Sequence, residues 1–102
     1  MEYAYGQVNG ELAVTLSGRL VYADAAKMHD IIAKWDFQSQ PNVRLNLRYV
    51  TFLDSTAIGT LFVIAKHAAK VGGELILLNP SPSVAQILER AEIKSCARVT
   101  IE

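Results

Sequence analysis

The stretch FLDSTAIG, residues 52–59, places an acid and two hydroxyls, Asp54, Ser55 and Thr56, between two apolar runs. Short polar side chains at such a boundary can do two kinds of work. One is local, because a side-chain oxygen of Asp54 or Ser55 can satisfy amide groups left open by the first turn of a helix. The other is chemical, with Ser55 acting as a nucleophile. That chemistry needs a positioned base and an oxyanion site. The surroundings of Ser55 are not Gly-x-Ser-x-Gly and offer no evident histidine partner. No catalytic activity is therefore expected.

Other reactive side chains are sparse. His29 and His67 stand far apart and outside any ligand-spaced pattern, so no metal site is expected. Cys96 is the single cysteine, which excludes an internal disulfide and reads as a small apolar side chain of the core. No phosphate-cradling glycine loop is present, and no cofactor is expected.

With 102 residues the chain fits one domain, read here as 1–102. Ten basic and ten acidic residues cancel, leaving no excess of positive charge for a phosphate backbone, so nucleic acid is not an expected partner. The longest apolar run, Leu61 to Ala65, is too short to span a bilayer, and membrane insertion is not expected. The opening MEYAYGQVNG lacks the basic and apolar blocks of an export signal, which makes the cytoplasm the expected location.

The elements that must position Ser55 follow from periodicity. Asn9-Gly10 between Glu2–Val8 and Leu12–Leu16 predicts an antiparallel hairpin, with Leu12, Val14 and Leu16 on one face. From Tyr22 to Trp35, Ala25, Met28, Ile31, Ile32 and Trp35 recur at helical spacing, with Asp24, Lys27, Asp30 and Lys34 opposite. Residues 38–42 read as a loop around Pro41, and alternation predicts a strand from Val43 to about Leu47. A second helix over Ser55–Val71 carries the stripe Ile58, Leu61, Phe62, Ala65 and Ala69, and Gly72-Gly73 ends it. LILL at 75–78 reads as a strand buried on both faces. Ser81-Pro82 opens a third helix with Val84, Ile87, Leu88 and Ala91 inward, and residues 96–101 form a last strand. Strands alternating with helices imply parallel pairing. The expected fold is thus α/β: a single mixed, mostly parallel sheet with an N-terminal β-hairpin and three principal helices.

The stretch LNLRYVTFLDSTAIGTLFVIAKHAAKVGGELILLNPSPSVAQILERAEI, with LSGRLVYADAAKM upstream, resembles the STAS domain, and within it the bacterial anti-sigma factor antagonist family. In that family an Asp-Ser-Ser/Thr-Gly-Leu-Gly turn opens a helix and is followed by Gly-Gly, a strand and a proline-containing helix start. The resemblance implies a binding module whose partner is an anti-sigma factor that is also a serine kinase of the histidine-kinase-like ATPase fold. It implies phosphorylation of Ser55, with Thr56 as second choice, and removal of the phosphate by a metal-dependent serine phosphatase. The alternative within the family is a non-switching docking subunit of a signalling complex or of a lipid transport system.

Turning the second helix by 100° per residue sends Thr56, Thr60, Val63, His67 and Lys70 outward. Asp54, Ser55, Thr56, Thr60 and Val63 are accordingly the expected partner-binding residues. Three positions depart from the family pattern: Ala57 replaces glycine, Val21 replaces the aspartate of the first turn, and Asn46 replaces a strand aspartate. They are expected to affect activity more than fold, Ala57 by crowding an approaching kinase and Val21 and Asn46 by removing acids near the acceptor.

Overall fold

In the computed structural model, which describes residues 1–95 and 99–102, Asn9 and Gly10 both take left-handed backbone angles. This is the twist that a two-residue hairpin demands. It joins strand β1 (Glu2–Val8) to β2 (Glu11–Leu20) in antiparallel register. The chain then passes through a 3-10 turn at Tyr22–Asp24 into helix α1 (Ala25–Lys34) and returns as β3 (Val43–Leu53). Helix α2 (Ser55–Lys70), strand β4 (Leu75–Leu78), helix α3 (Pro82–Arg90) and strand β5 (Val99–Ile101) follow, with a second 3-10 turn at Ile93–Ser95. The five strands lie in the order β1-β2-β3-β4-β5, and every pairing after the hairpin is parallel. This is the expected single α/β domain.

Each parallel crossover steps one strand in the same direction, and crossovers of the usual hand then carry all three helices to one face of the sheet. The buried residues agree. Leu16, Leu45, Leu47, Leu75 and Leu77 from the strands share one core with Met28 and Ile31 of α1, Leu61 and Ile64 of α2, and Val84 and Leu88 of α3. Ile76 and Leu78 point the other way and make a small cluster with Ala13 and Val8, so β4 is apolar on both sides as its sequence indicates.

Local chemistry sets the element ends. Ser81 Oγ accepts from the Val84 amide to cap α3, with Pro82 in the first turn. At the end of α2, the Gly72 amide donates to the Ala69 carbonyl and the Gly73 amide to the Ala68 carbonyl, a Schellman closure. The Trp35 indole N–H donates to the Gln40 carbonyl at 2.7 Å, tying the loop before β3 to the end of α1.

Three sequence expectations need correction. Strand β2 does not stop at Leu16 but continues to Leu20, and β3 runs six residues beyond Leu47 to Leu53. Opposite Thr15–Ser17, β3 advances three residues (Asn46 to Tyr49), and opposite Gly18–Arg19 it advances two (Val50 to Phe52). Two extra residues in β3 thus break the period-2 alternation while pairing continues. Asp24 is not on the solvent side of α1; it is buried, its carboxylate accepting from the Val21 amide and the Met1 ammonium, both at 3.0 Å. Those two hydrogen bonds, the Val21 amide foremost, hold its carboxyl below the usual carboxylate range. The proposed last strand is present over Val99–Ile101, while the core assignment of Cys96 falls outside the described residues.

Gly73 is the position at which a side chain is least tolerable, since a Cβ there would lie 1.9 Å from the Pro41 carbonyl oxygen. Gly59, in mid-helix, has open space around the equivalent point. Gly73→Ala is expected to cost about 1–3 kcal/mol in urea unfolding, and Gly59→Ala to add roughly 0.5–1 kcal/mol. Similar effects of the two substitutions would refute the close approach of the Gly73 and Pro41 backbones.

Candidate functional site

Where β3 hands over to α2, Asp54 takes the capping position with extended backbone, and Ser55 becomes the first helical residue. The Asp54 carboxylate is divided between two tasks. One oxygen, Oδ1, accepts from the Ala57 amide at 2.9 Å, which is the helix cap. The other, Oδ2, accepts from the Tyr22 amide at 2.8 Å, 32 residues away in the chain, which ties the β2–α1 connection to the start of α2. The backbone adds a third link, from the Asp54 amide to the Leu20 carbonyl at 3.1 Å.

This division answers which residue caps the helix. Asp54 does, and the Ser55 side chain is left exposed without that duty. The Ser55 and Thr56 amides precede the first intrahelical bond, which runs from Ile58 to the Asp54 carbonyl. An exposed hydroxyl therefore sits beside open backbone donors at the positive end of a sixteen-residue helix. Thr56 is half-buried, and its carbonyl accepts from the Thr60 hydroxyl at 3.1 Å.

The remaining expected site residues divide sharply. Val63 is outward, 40% exposed, but Thr60 is only 8% exposed and does not belong to an accessible ridge. The buried stripe of α2 is Ala57, Ile58, Thr60, Leu61, Ile64, Ala65 and Ala68, with Phe62 and Ala69 half-buried. It is turned relative to the stripe inferred from large side chains, because alanines and a threonine face the neighbouring elements. The Thr60 hydroxyl tolerates this by bonding within its own helix. The exposed line is instead Ser55, Gly59, Val63 and Lys66.

Two of the three family departures look different in place. Ala57 is 5% exposed and its methyl lies in the core, so it does not crowd a partner above the helix. Asn46 is buried at the other end of β3, roughly 20 Å from Asp54 along the strand. Its side chain donates to Thr15 Oγ1 and accepts from Asn79 Nδ2 and the Arg48 amide. Its role is to satisfy polar groups within the sheet, far from Ser55. Val21 adjoins Tyr22, and its amide is served by Asp24.

Sequence reasoning missed Tyr22. It is the most exposed of the large hydrophobic side chains, at 76%, and its amide is held by Asp54 beside Ser55. The only sequence signal was an aromatic residue placed just before a helix. His29 and His67 are exposed and distant from this junction in the chain, His67 packing its ring 5.8 Å from that of Phe37. Among the described residues no group of three or more His, Cys, Asp or Glu is placed to hold a metal ion, and no helix is long and apolar enough to cross a membrane.

Comparison with known proteins agrees with this architecture. The STAS domain family matches residues 4–99, and the chain belongs to that family. A STAS-domain containing protein of Pseudomonas aeruginosa is 27% identical over 90 residues, covering 88% of each chain. BtrV of Bordetella bronchiseptica, which bears an anti-sigma factor antagonist name, is 25% identical over 89 residues, covering 87% of this chain and 77% of its own. In three dimensions the chain is similar to the anti-sigma factor antagonist SpoIIAA in its unphosphorylated form, with a TM-score of 0.75 and 24% identity over 99% of this chain and 90% of that one. The fold shared with that protein is the STAS fold.

The two-way use of Asp54 makes a specific demand on substitution. At an ordinary helix start asparagine replaces aspartate at little cost. Here the asparagine amide group would have to face one of two N–H donors. Asp54→Asn is therefore expected to cost about 1 kcal/mol or more, approaching Asp54→Ala at about 1–3 kcal/mol. Urea unfolding with amide exchange at Tyr22 measures both, and an asparagine variant equal to wild type would remove the clamp.

Proposed function

We propose that the chain is a non-catalytic binding module that engages an anti-sigma factor with serine-kinase activity, of the histidine-kinase-like ATPase fold, and is released when Ser55 is phosphorylated. The observation that carries the reading is the freedom of the Ser55 hydroxyl, exposed at the first position of α2 while Asp54 performs the capping. Membership of the STAS family and the names of BtrV and SpoIIAA support the class of partner. A metal-dependent serine phosphatase restores the binding form. Thr56 is the second-choice acceptor.

The physical consequence of phosphate differs between the free and the docked protein. In the free chain, a phosphate on Ser55 meets open amides and the helix dipole, a gain of up to about 2 kcal/mol, partly offset by the charge of Asp54. In a packed interface roughly two added negative charges incur desolvation and repulsion of several kcal/mol. The fold survives and the contact does not. The docking surface consists of Asp54, Ser55, Thr56 and Val63, widened by exposed Tyr22, with Thr60 left as an internal support.

Incubation with candidate kinases and ATP, followed by mass spectrometry, is expected to place phosphate on Ser55. Ser55→Ala should retain kinase binding, and phosphorylation should lower affinity by about two to three powers of ten, with Ser55→Asp following in direction. Equal binding by wild type, Ser55→Ala and Ser55→Asp would favour a non-switching docking subunit.

Val63→Glu is expected to weaken the same complex while leaving the unfolding free energy from urea titration within about 0.5 kcal/mol of wild type. An unchanged affinity would take Val63 out of the interface.

A further inference from the structure

The two extra residues of β3 have a consequence at the surface. Leu47, Val50 and Leu53 all face the core, so the pairs between them, Arg48-Tyr49 and Thr51-Phe52, are all turned out. Across the ladder Tyr49 stands opposite Ser17 and Phe52 opposite Arg19, and residues paired in this way share a face. Tyr49 is 57% exposed and Phe52 38%. The Arg19 guanidinium carbon lies 4.9 Å from the centre of the Phe52 ring, and that of Arg48 lies 5.8 Å from the centre of the Tyr49 ring.

Neither arginine is within ion-pair distance of an acid among the described residues, where the salt bridges are Met1–Asp24, Lys27–Glu2, Lys34–Asp30 and Arg44–Glu11. Glu2, opposite Ser17 on the adjoining strand, is paired with Lys27. Two guanidinium groups are thus held over two aromatic rings with their charge uncompensated, on the side of the sheet away from the helices.

We propose that this patch, Arg19, Arg48, Tyr49 and Phe52, is a second docking surface, distinct from that around Ser55, for an acidic polypeptide segment carrying an aromatic side chain. Guanidinium planes pair bidentately with carboxylates, and their contact with the rings restricts them before a ligand arrives. The exposed edges of Tyr49 and Phe52 supply the apolar contact. Two cations suit a pair of carboxylates and fall short of the basic tract that tracks a nucleic-acid backbone, and the chain as a whole has no net charge to add to them. Phe52 lies three residues, about 10 Å, before Ser55, roughly one Debye length in physiological salt. Charge at Ser55 is therefore partly screened at the patch.

The test is a heteronuclear NMR titration of the full chain with a twelve-residue peptide of glutamates interrupted by two phenylalanines. Amide shifts are expected to concentrate at residues 17–19 and 48–52. The Arg19→Gln/Arg48→Gln double variant, and a peptide with glutamine for glutamate, should each weaken binding about tenfold or more. Ser55→Asp should leave the affinity within about twofold, a result that stands whether or not Ser55 is a phosphorylation site. Shifts absent from the patch, equal binding of the glutamine peptide, or loss of binding in Ser55→Asp would overturn the proposal. So would tighter binding of a twelve-nucleotide thymidine strand or of phosphatidylglycerol vesicles, which would make the ligand a nucleic acid or a membrane.

Discussion

A single carboxylate stands between the sheet and the exposed serine. Asp54 has two oxygens and gives one to the first turn of α2 and the other to the amide of Tyr22. Neither contact could be transferred to Ser55 without withdrawing its hydroxyl from solvent, so the accessibility of Ser55 depends on its neighbour being fully employed. A second carboxylate extends the same logic. Asp24 accepts from the amide of Val21, the residue immediately before Tyr22, so two consecutive amides of the β2–α1 connection are held by acids from two different places in the fold. A connection that would otherwise leave its donors to water becomes a fixed wall beside Ser55.

Much of this architecture was legible from residue order. The Asn9-Gly10 turn, the both-sided apolar run at 75–78, the Ser81-Pro82 helix start and the Gly-Gly stop after α2 each have one dominant local solution, and local and tertiary preferences agree at all of them. What was not legible has a common cause. Strand β3 outruns its sequence signal because its two extra residues put Arg48 and Tyr49, then Thr51 and Phe52, on the outside in pairs, and period-2 alternation is lost there although pairing with β2 continues. The buried face of α2 is turned from its large apolar side chains because alanines count for little in an apolar stripe, whereas in three dimensions they allow close approach of neighbouring elements. Thr60 followed them inward.

At the candidate site the positions of Asp54, Ser55 and Thr56 were readable, but the assignment of duties among them was not. Either Asp54 or Ser55 has the chemistry of a cap, and the choice was made by Tyr22, whose amide supplies a second donor that a carboxylate can serve alongside the cap and a hydroxyl would serve less well. That partner lies 32 residues away and carries no sequence signal beyond an aromatic residue before a helix. Ala57 shows the reverse error. As a sequence departure it suggested a methyl group on the binding surface, while the turn of the helix places that methyl in the core.

The same geometry bears on the proposed phosphorylation of Ser55, which would need no moving part to act as an electrostatic switch. The hydroxyl sits on the first turn of a helix packed against β3, β4 and α1 over the shared core. A phosphate placed there would, on the proposed reading, change charge and hydration locally without requiring a change of shape. Its environment in the free chain is mildly favourable, through open amides and the helix dipole, and its environment under a close-packed partner is strongly unfavourable. The difference between those two terms, up to about 2 kcal/mol of gain less the repulsion of Asp54 against several of cost, would be the energy of the proposed switch. Under the proposed mechanism the module would keep its fold in both states, because the cap and the clamp at the start of α2 are made by Asp54 and not by the residue that would be modified.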